Sequence, residues 1–182
     1  MKRKTAAAAG VQARIAGVLY LLAVAIAVWG EVAARGRGGT AAVLLPVFGM
    51  LAMTLLLYGI LAPVNRGLAV LMMLSSVAGL TLEAVQWQPG GVNVAMLFHA
   101  LYCLLVGLLV IKSIFLPRIL GGLMAFAGLV WLINLAPSLA DHLSPYDTIL
   151  GLLGETALML WLVVMGVNSR RWTEQAGAVG GV

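Results

Sequence analysis

Charge is what this sequence has least of: 9% of its residues are charged, against about 25% in a soluble domain. A chain that is 63% apolar cannot cover a globular surface with polar groups, so lipid must form part of its solvent. Cysteine is nearly absent too. Cys103 stands alone in an apolar run, which excludes a disulfide framework, leaves the redox compartment unreadable, and reads as a small buried hydrophobe. There are two histidines, His99 and His142; haem would want facing histidines within the spans, and only His99 lies in one. No HExxH, Glu-x-x-His or cysteine cluster is present, and no P-loop, GxSxG or dinucleotide fingerprint. A metal site would have to pair His99 with Glu83 or Glu155, and no motif supports it. No metal and no cofactor is expected.

What is there is a series of apolar runs, each long enough to cross a hydrocarbon core of ~30 Å. The spans expected are about Ala13–Val32, Ala41–Ala62, Leu68–Trp87, Val92–Phe115, Arg118–Leu135 and Tyr146–Val167. Turns at Gly36–Gly39, Pro63–Gly67, Gln88–Gly91, Pro117 and Pro137–Pro145 separate them. Within hydrocarbon every backbone N–H and C=O must be paired, so only helices or closed barrels can span. Barrel strands alternate apolar and polar residues over ~10 positions, whereas these runs are continuously apolar for about twice that length. The fold class expected is an all-α polytopic membrane bundle of six transmembrane helices.

The basic residues set the expected orientation. Nine of the eleven (Lys2, Arg3, Lys4, Arg14, Arg66, Lys112, Arg118, Arg170 and Arg171) fall at the termini or in the second and fourth turns. Only Arg35 and Arg37 fall on the other side. All the loops are short, the regime in which the positive-inside rule holds best, so both termini are expected in the cytoplasm. Five of the six acids lie on the opposite side or inside the spans. The net charge of +5 is explained by topology, and no nucleic-acid partner is expected. The basic start followed by an apolar stretch imitates a signal peptide, but Ile15–Trp29 is at the upper limit of an h-region and Glu31 follows at once. A retained first span is the reading taken; cleavage would leave five. The organisation expected is a basic cytoplasmic segment over 1–12, a transmembrane domain over 13–168 and a short polar tail over 169–182, disordered at its end.

The polar residues inside the spans carry the functional question. At 1.5 Å per residue, Glu31 lies roughly 25 Å, Glu83 roughly 22 Å and Asn134 roughly 24 Å above the inner ends of their spans. Counted from the outer face, His99 is roughly 10 Å deep and Glu155 roughly 13 Å deep. Glu155 is the sharpest of them, with apolar residues on both sides. A charge at a helix centre costs about 2.5–3.5 kcal/mol on insertion scales, so Glu155 should face the bundle and be paired or protonated. Gly151 and Gly154 beside it allow another helix to come close. Two readings stand: a carboxylate that takes a proton or cation, or a buried carboxyl bonded to Asn134, His99 or a backbone group. His99 shares a helix face with Tyr102 and Cys103, as a base or ligand or as a neutral histidine donating to a carbonyl. Glu31 and Glu83 are near enough to the surface to be interfacial. Trp29, Trp87 and Tyr146 lie at the level of an aromatic belt; Trp131 and Trp161 are deeper and read as packing.

Several strings resemble the bacterial membrane family known as domain of unknown function 4386. They are Arg14–Leu22 (RIAGVLYLL), Leu61–Arg66 (LAPVNR), Gly107–Met124 (GLLVIKSIFLPRILGGLM), Gly128–Asn134 (GLVWLIN) and Gly154–Asn168 (GETALMLWLVVMGVN). The resemblance covers most of residues 14–168. It implies a multi-pass protein of the bacterial inner membrane with no established activity, so no catalytic residue carries over. Two departures stand out: the loop after the first span is usually longer in the family, and members often have histidine where this chain has Tyr102. If that histidine is functional there, the function is altered here or carried by His99.

Three roles remain. The first is a binder or carrier of a small molecule, lipid or ion, with Glu155 holding the cation or proton and Glu83, His99 and Asn134 lining an outward pocket. Six spans are few for a carrier, so a homodimer fits that reading. The second is an accessory subunit whose polar groups join helices and whose partner is another membrane protein. The third, an enzyme acting on a lipid-like substrate with His99 or Glu155 as general acid or base, ranks last. Membrane lipids are partners in all three.

Overall fold

The apolar runs fold as helices, and their breaks are chemical. The computed structural model describes residues 2–32 and 39–179; among these the regular elements are all helical. They are α1 (Lys2–Val32), α2 (Gly39–Leu61), α3 (Arg66–Ala84), α4 (Val94–Lys112), α5 (Arg118–Trp131), α6 (Pro137–Leu143), α7 (Tyr146–Val164) and α8 (Ser169–Val179). Six of them, α1 to α5 and α7, are long and apolar enough to cross a membrane, α5 by counting its continuation to Leu135.

Asn65 starts α3 by accepting the Leu68 N–H at 2.9 Å, which satisfies one of the free donors of a helix start. At the end of α4 the Ser113 hydroxyl donates to the Val110 carbonyl at 2.8 Å, and Pro117 opens α5. The span expected to run to Val167 ends at Val164, because Gly166 takes φ 67°, a left-handed conformation open to a residue without Cβ. Its N–H and that of Met165 both donate to the Trp161 carbonyl.

Three stretches carry helical structure that the sequence reading did not assign. The basic segment before the first span is continuous with α1. The connection over 137–145 contains α6, and Asp147, at the start of the sixth span, sits buried in the first turn of α7. The tail is a docked helix through Val179; its last residues, 180–182, where disorder was expected, lie outside the described residues. Trp172 Nε1 donates to the Ile60 carbonyl at 2.9 Å, Arg171 to the Ile114 carbonyl at 3.3 Å, and the Ile114 N–H to Gln175 Oε1 at 3.1 Å. Carbonyls and N–H groups freed where spans end thus find their partners in α8.

Each spanning helix packs on the next, and α7 closes against α1. The bundle is a ring. Close approach is built on glycine: a Cβ at Gly107 would meet the Gly121 carbonyl, and one at Gly121 the Gly107 carbonyl, so α4 and α5 touch backbone to backbone as small residues permit. Phe48, Leu55, Leu74, Ile119, Leu129 and Leu153 point outward and are exposed, while Thr54, Ser76 and Glu155 are buried. Apolar outside and polar within is the arrangement lipid imposes.

Candidate functional site

At the centre of the ring, toward the end opposite the termini, stands Glu155 on the third turn of α7, 1% exposed. Its two carboxylate oxygens are held by three helices. Tyr20 from α1 donates its hydroxyl to Oε2 at 2.8 Å. Trp131, the last residue of α5, donates its indole N–H to Oε1 at 2.5 Å. From α4, His99 Nε2 lies 2.9 Å from Oε1. A buried carboxylate is tolerable in a low-dielectric interior only when donors replace its lost water, and here three do so.

The neighbours of Glu155 explain why those donors arrive. Gly154 leaves room for α5, since a Cβ there would run into the Leu123 carbonyl and Ala127. A Cβ at Gly151 would lie 2.6 Å from the Trp131 ring, so the missing side chain at Gly151 is the seat of the indole. The sequence Gly151-x-x-Gly154-Glu155 therefore brings in α5, seats the tryptophan and supplies the acceptor.

His99 is packed edge-on by Trp131, ring centroids 5.6 Å apart, and stacked by Tyr102 at 6.1 Å. Its side chain is 29% exposed. One turn further along α4, Cys103 Sγ lies 3.8 Å from His99 Nε2. Tyr102 points its hydroxyl at the Met53 sulfur at 3.4 Å. Thr54 of α2 and Ser76 of α3 share a hydrogen bond of 2.7 Å.

These groups border a cavity of about 40 Å³, lined by Tyr20, Met50, Met53, Thr54, Ser76, Leu80, His99, Tyr102 and Glu155. That is space for about three water-sized groups at ~10–15 Å³ each. One carboxylate, one imidazole and four hydroxyls surround it, with two thioethers, a set suited to a small cation or a hydrated ion.

Of the residues singled out from sequence, the structure brings Glu155, His99 and Tyr102 together. Glu83 and Asn134 stand apart from the cavity. Glu83 accepts the Gln86 side chain at 3.3 Å where α3 ends, and Asn134 Nδ2 turns back to the Trp131 carbonyl at 3.4 Å. The Glu31 side chain lies outside the described residues. Tyr20, Thr54 and Ser76 were not singled out. Their signal was weak, because a hydroxyl in an apolar run looks like any other small polar residue. Trp131 and Cys103 read as packing and prove to be a donor to Glu155 and a neighbour of His99.

A family model described as Domain of unknown function (DUF4386) matches residues 75–166. The match contains Ser76, His99, Tyr102, Cys103, Trp131 and Glu155 and leaves Tyr20 and Thr54 outside. No curated protein and no solved structure matches the chain.

Proposed function

The chain belongs to the family described as Domain of unknown function (DUF4386), and we propose that it binds a small cation in the cavity beside Glu155, as a multi-pass protein of the bacterial inner membrane with both termini in the cytoplasm. The observation that carries the reading is a fully buried carboxylate that borders a cavity of about 40 Å³ lined in part by hydroxyls and an imidazole. A carboxylate kept only to join helices has no need of a cavity beside it. The volume favours an ion or very small solute over a lipid. Intramembrane acids mark ion or substrate paths by default, and His99, which lines the cavity, is partly exposed.

Purified protein in nanodiscs, titrated calorimetrically with sodium, ammonium, methylammonium, magnesium and zinc, tests this. One site per chain for at least one of these cations is expected, lost in Glu155→Gln while the helical signal is kept. Binding that persists undiminished in that variant overturns the role of Glu155.

A second reading rests on a different observation: both oxygens of Glu155 already have donors from α1, α4 and α5. In an accessory protein that hub would serve assembly alone. No cation bound by the wild type, with Glu155→Gln changing only the melting temperature, favours it.

A further inference from the structure

Glu155 and two of the groups around it share a feature that small-cation binding in general does not require. His99 Nε2, Cys103 Sγ and a Glu155 carboxylate oxygen all lie within 4.8 Å of one another. His99 and Cys103 are four residues apart on α4, so one helix face presents both, and Glu155 meets them from α7. The separations are 2.9 Å from Nε2 to Oε1 and 3.8 Å from Nε2 to Sγ. Zinc bonds of about 2.0–2.1 Å to nitrogen, ~2.3 Å to sulfur and ~2.0–2.2 Å to oxygen place tetrahedral N and O ligands about 3.3 Å apart and N and S ligands about 3.5 Å apart. These two pairs are within about half an ångström of that spacing, while Cys103 Sγ and the Glu155 oxygen, within 4.8 Å of each other, must close by up to about 1 Å on the metal.

We propose that His99, Cys103 and Glu155 form a three-ligand site for a zinc-class divalent transition metal, its fourth position open to the cavity. The proposal rests on the cation reading above and names the class of cation. The donor set decides the class. Magnesium wants near-octahedral oxygen and calcium six to eight oxygens, which one carboxylate cannot supply. Thiolate, imidazole and carboxylate together suit zinc. Tyr20 and Trp131 then have the outer role usual around metal-bound carboxylates, fixing the orientation of Glu155 by hydrogen bonds. When the metal enters, the Cys103 thiol proton leaves to water. The proton that His99 donates from Nε2 to Glu155 passes through water to Nδ1, or to bulk water if the ring is doubly protonated, which frees Nε2 to bind, and no electron moves.

The chain has a single cysteine, so any thiolate–metal signal reports Cys103. The test is cobalt(II) added to the full chain in nanodiscs and followed by absorption. One equivalent per chain is expected, with tetrahedral ligand-field bands and a thiolate-to-cobalt charge-transfer band. Zinc should bleach both, and Cys103→Ser should lose the charge-transfer band. Trp131→Phe should weaken metal binding by about 10–100-fold. X-ray absorption of the zinc-loaded wild type should give one sulfur among nitrogen and oxygen ligands, a result that depends on no variant folding. No charge-transfer band and no zinc–sulfur distance in the folded wild type overturn the metal site. If sodium or ammonium still binds there and Glu155→Gln abolishes it, the cavity reading survives that loss; if no cation binds at all, both fall.

Discussion

His99 Nε2 lies 2.9 Å from Glu155 Oε1, and this contact joins α4 to α7, two helices that are not neighbours in the ring. Tyr20 and Trp131 reach the same carboxylate from α1 and α5, which flank α7 on either side. The interior is thus tied by one acceptor serving three donors.

That arrangement orders the variants of Glu155. Leucine removes the acceptor from three donors at once. At about 0.6 kcal/mol for an average interhelical hydrogen bond in a membrane protein, the loss is about 2 kcal/mol. Glutamine keeps one acceptor oxygen and should lose about half as much. Reversible unfolding in mixed micelles should rank wild type above Glu155→Gln and Glu155→Leu last. A leucine variant as stable as the wild type would show that the three bonds contribute nothing net.

Gly154 and Gly122 make a paired test of close packing. A Cβ at Gly154 would meet the Leu123 carbonyl and Ala127, whereas one at Gly122 meets nothing within 4 Å. Gly154→Val should therefore separate α5 from α7 and cost about 1–3 kcal/mol, as overpacking does. Gly122→Ala should be neutral or stabilising by up to ~1 kcal/mol, since alanine is the better helix former. Equal effects in the same unfolding assay would refute the packing argument.

The spans were legible because length and continuous apolarity are properties of each segment alone. Their ends were less so: Gly166 stops α7 before Val167 by a backbone angle, which an apolar run does not reveal. Helix α8 was missed because its stability comes from contacts, Trp172 and Gln175 meeting groups at Ile60 and Ile114, and no local pattern encodes those. In the site, Glu155 and His99 stood out by their chemistry against an apolar background. Tyr20 and Trp131 did not, since each is amphipathic and equally at home in packing. Depth along a helix placed Asn134 and Glu83 near the site, but depth does not fix which way a side chain turns. Asn134 folds back on its own helix end and Glu83 pairs with Gln86.

The docking of α8 turns on Trp172, whose indole N–H satisfies the Ile60 carbonyl near the end of α2. Trp172→Ala should free α8 without disturbing the ring. Hydrogen exchange of residues 169–179 should quicken by an order of magnitude or more, while amides around Glu155 keep their protection. Quickened exchange throughout the bundle would mean instead that α8 is part of the core.

Orientation gives the last test. Nine basic residues at the end bearing the termini face two at the other, and in short loops such a bias sets topology. A fluorescent-protein fusion after Val182 should be bright, since it matures in the cytoplasm. An alkaline phosphatase fusion in the loop at Pro89–Gly91 should be active, since that enzyme needs the oxidising outer side. Replacing Lys112 and Arg118 with glutamine leaves a large majority of the bases in place and should change neither signal. Removing Lys2, Arg3, Lys4 and Arg14 together strips the first helix, which usually dominates the choice of orientation, and should produce a mixed population. A dark terminal fusion paired with an inactive loop fusion in the wild type would invert the assignment. The cavity beside Glu155 would then lie in the cytoplasmic half of the bilayer, and the side from which a cation enters would be reversed.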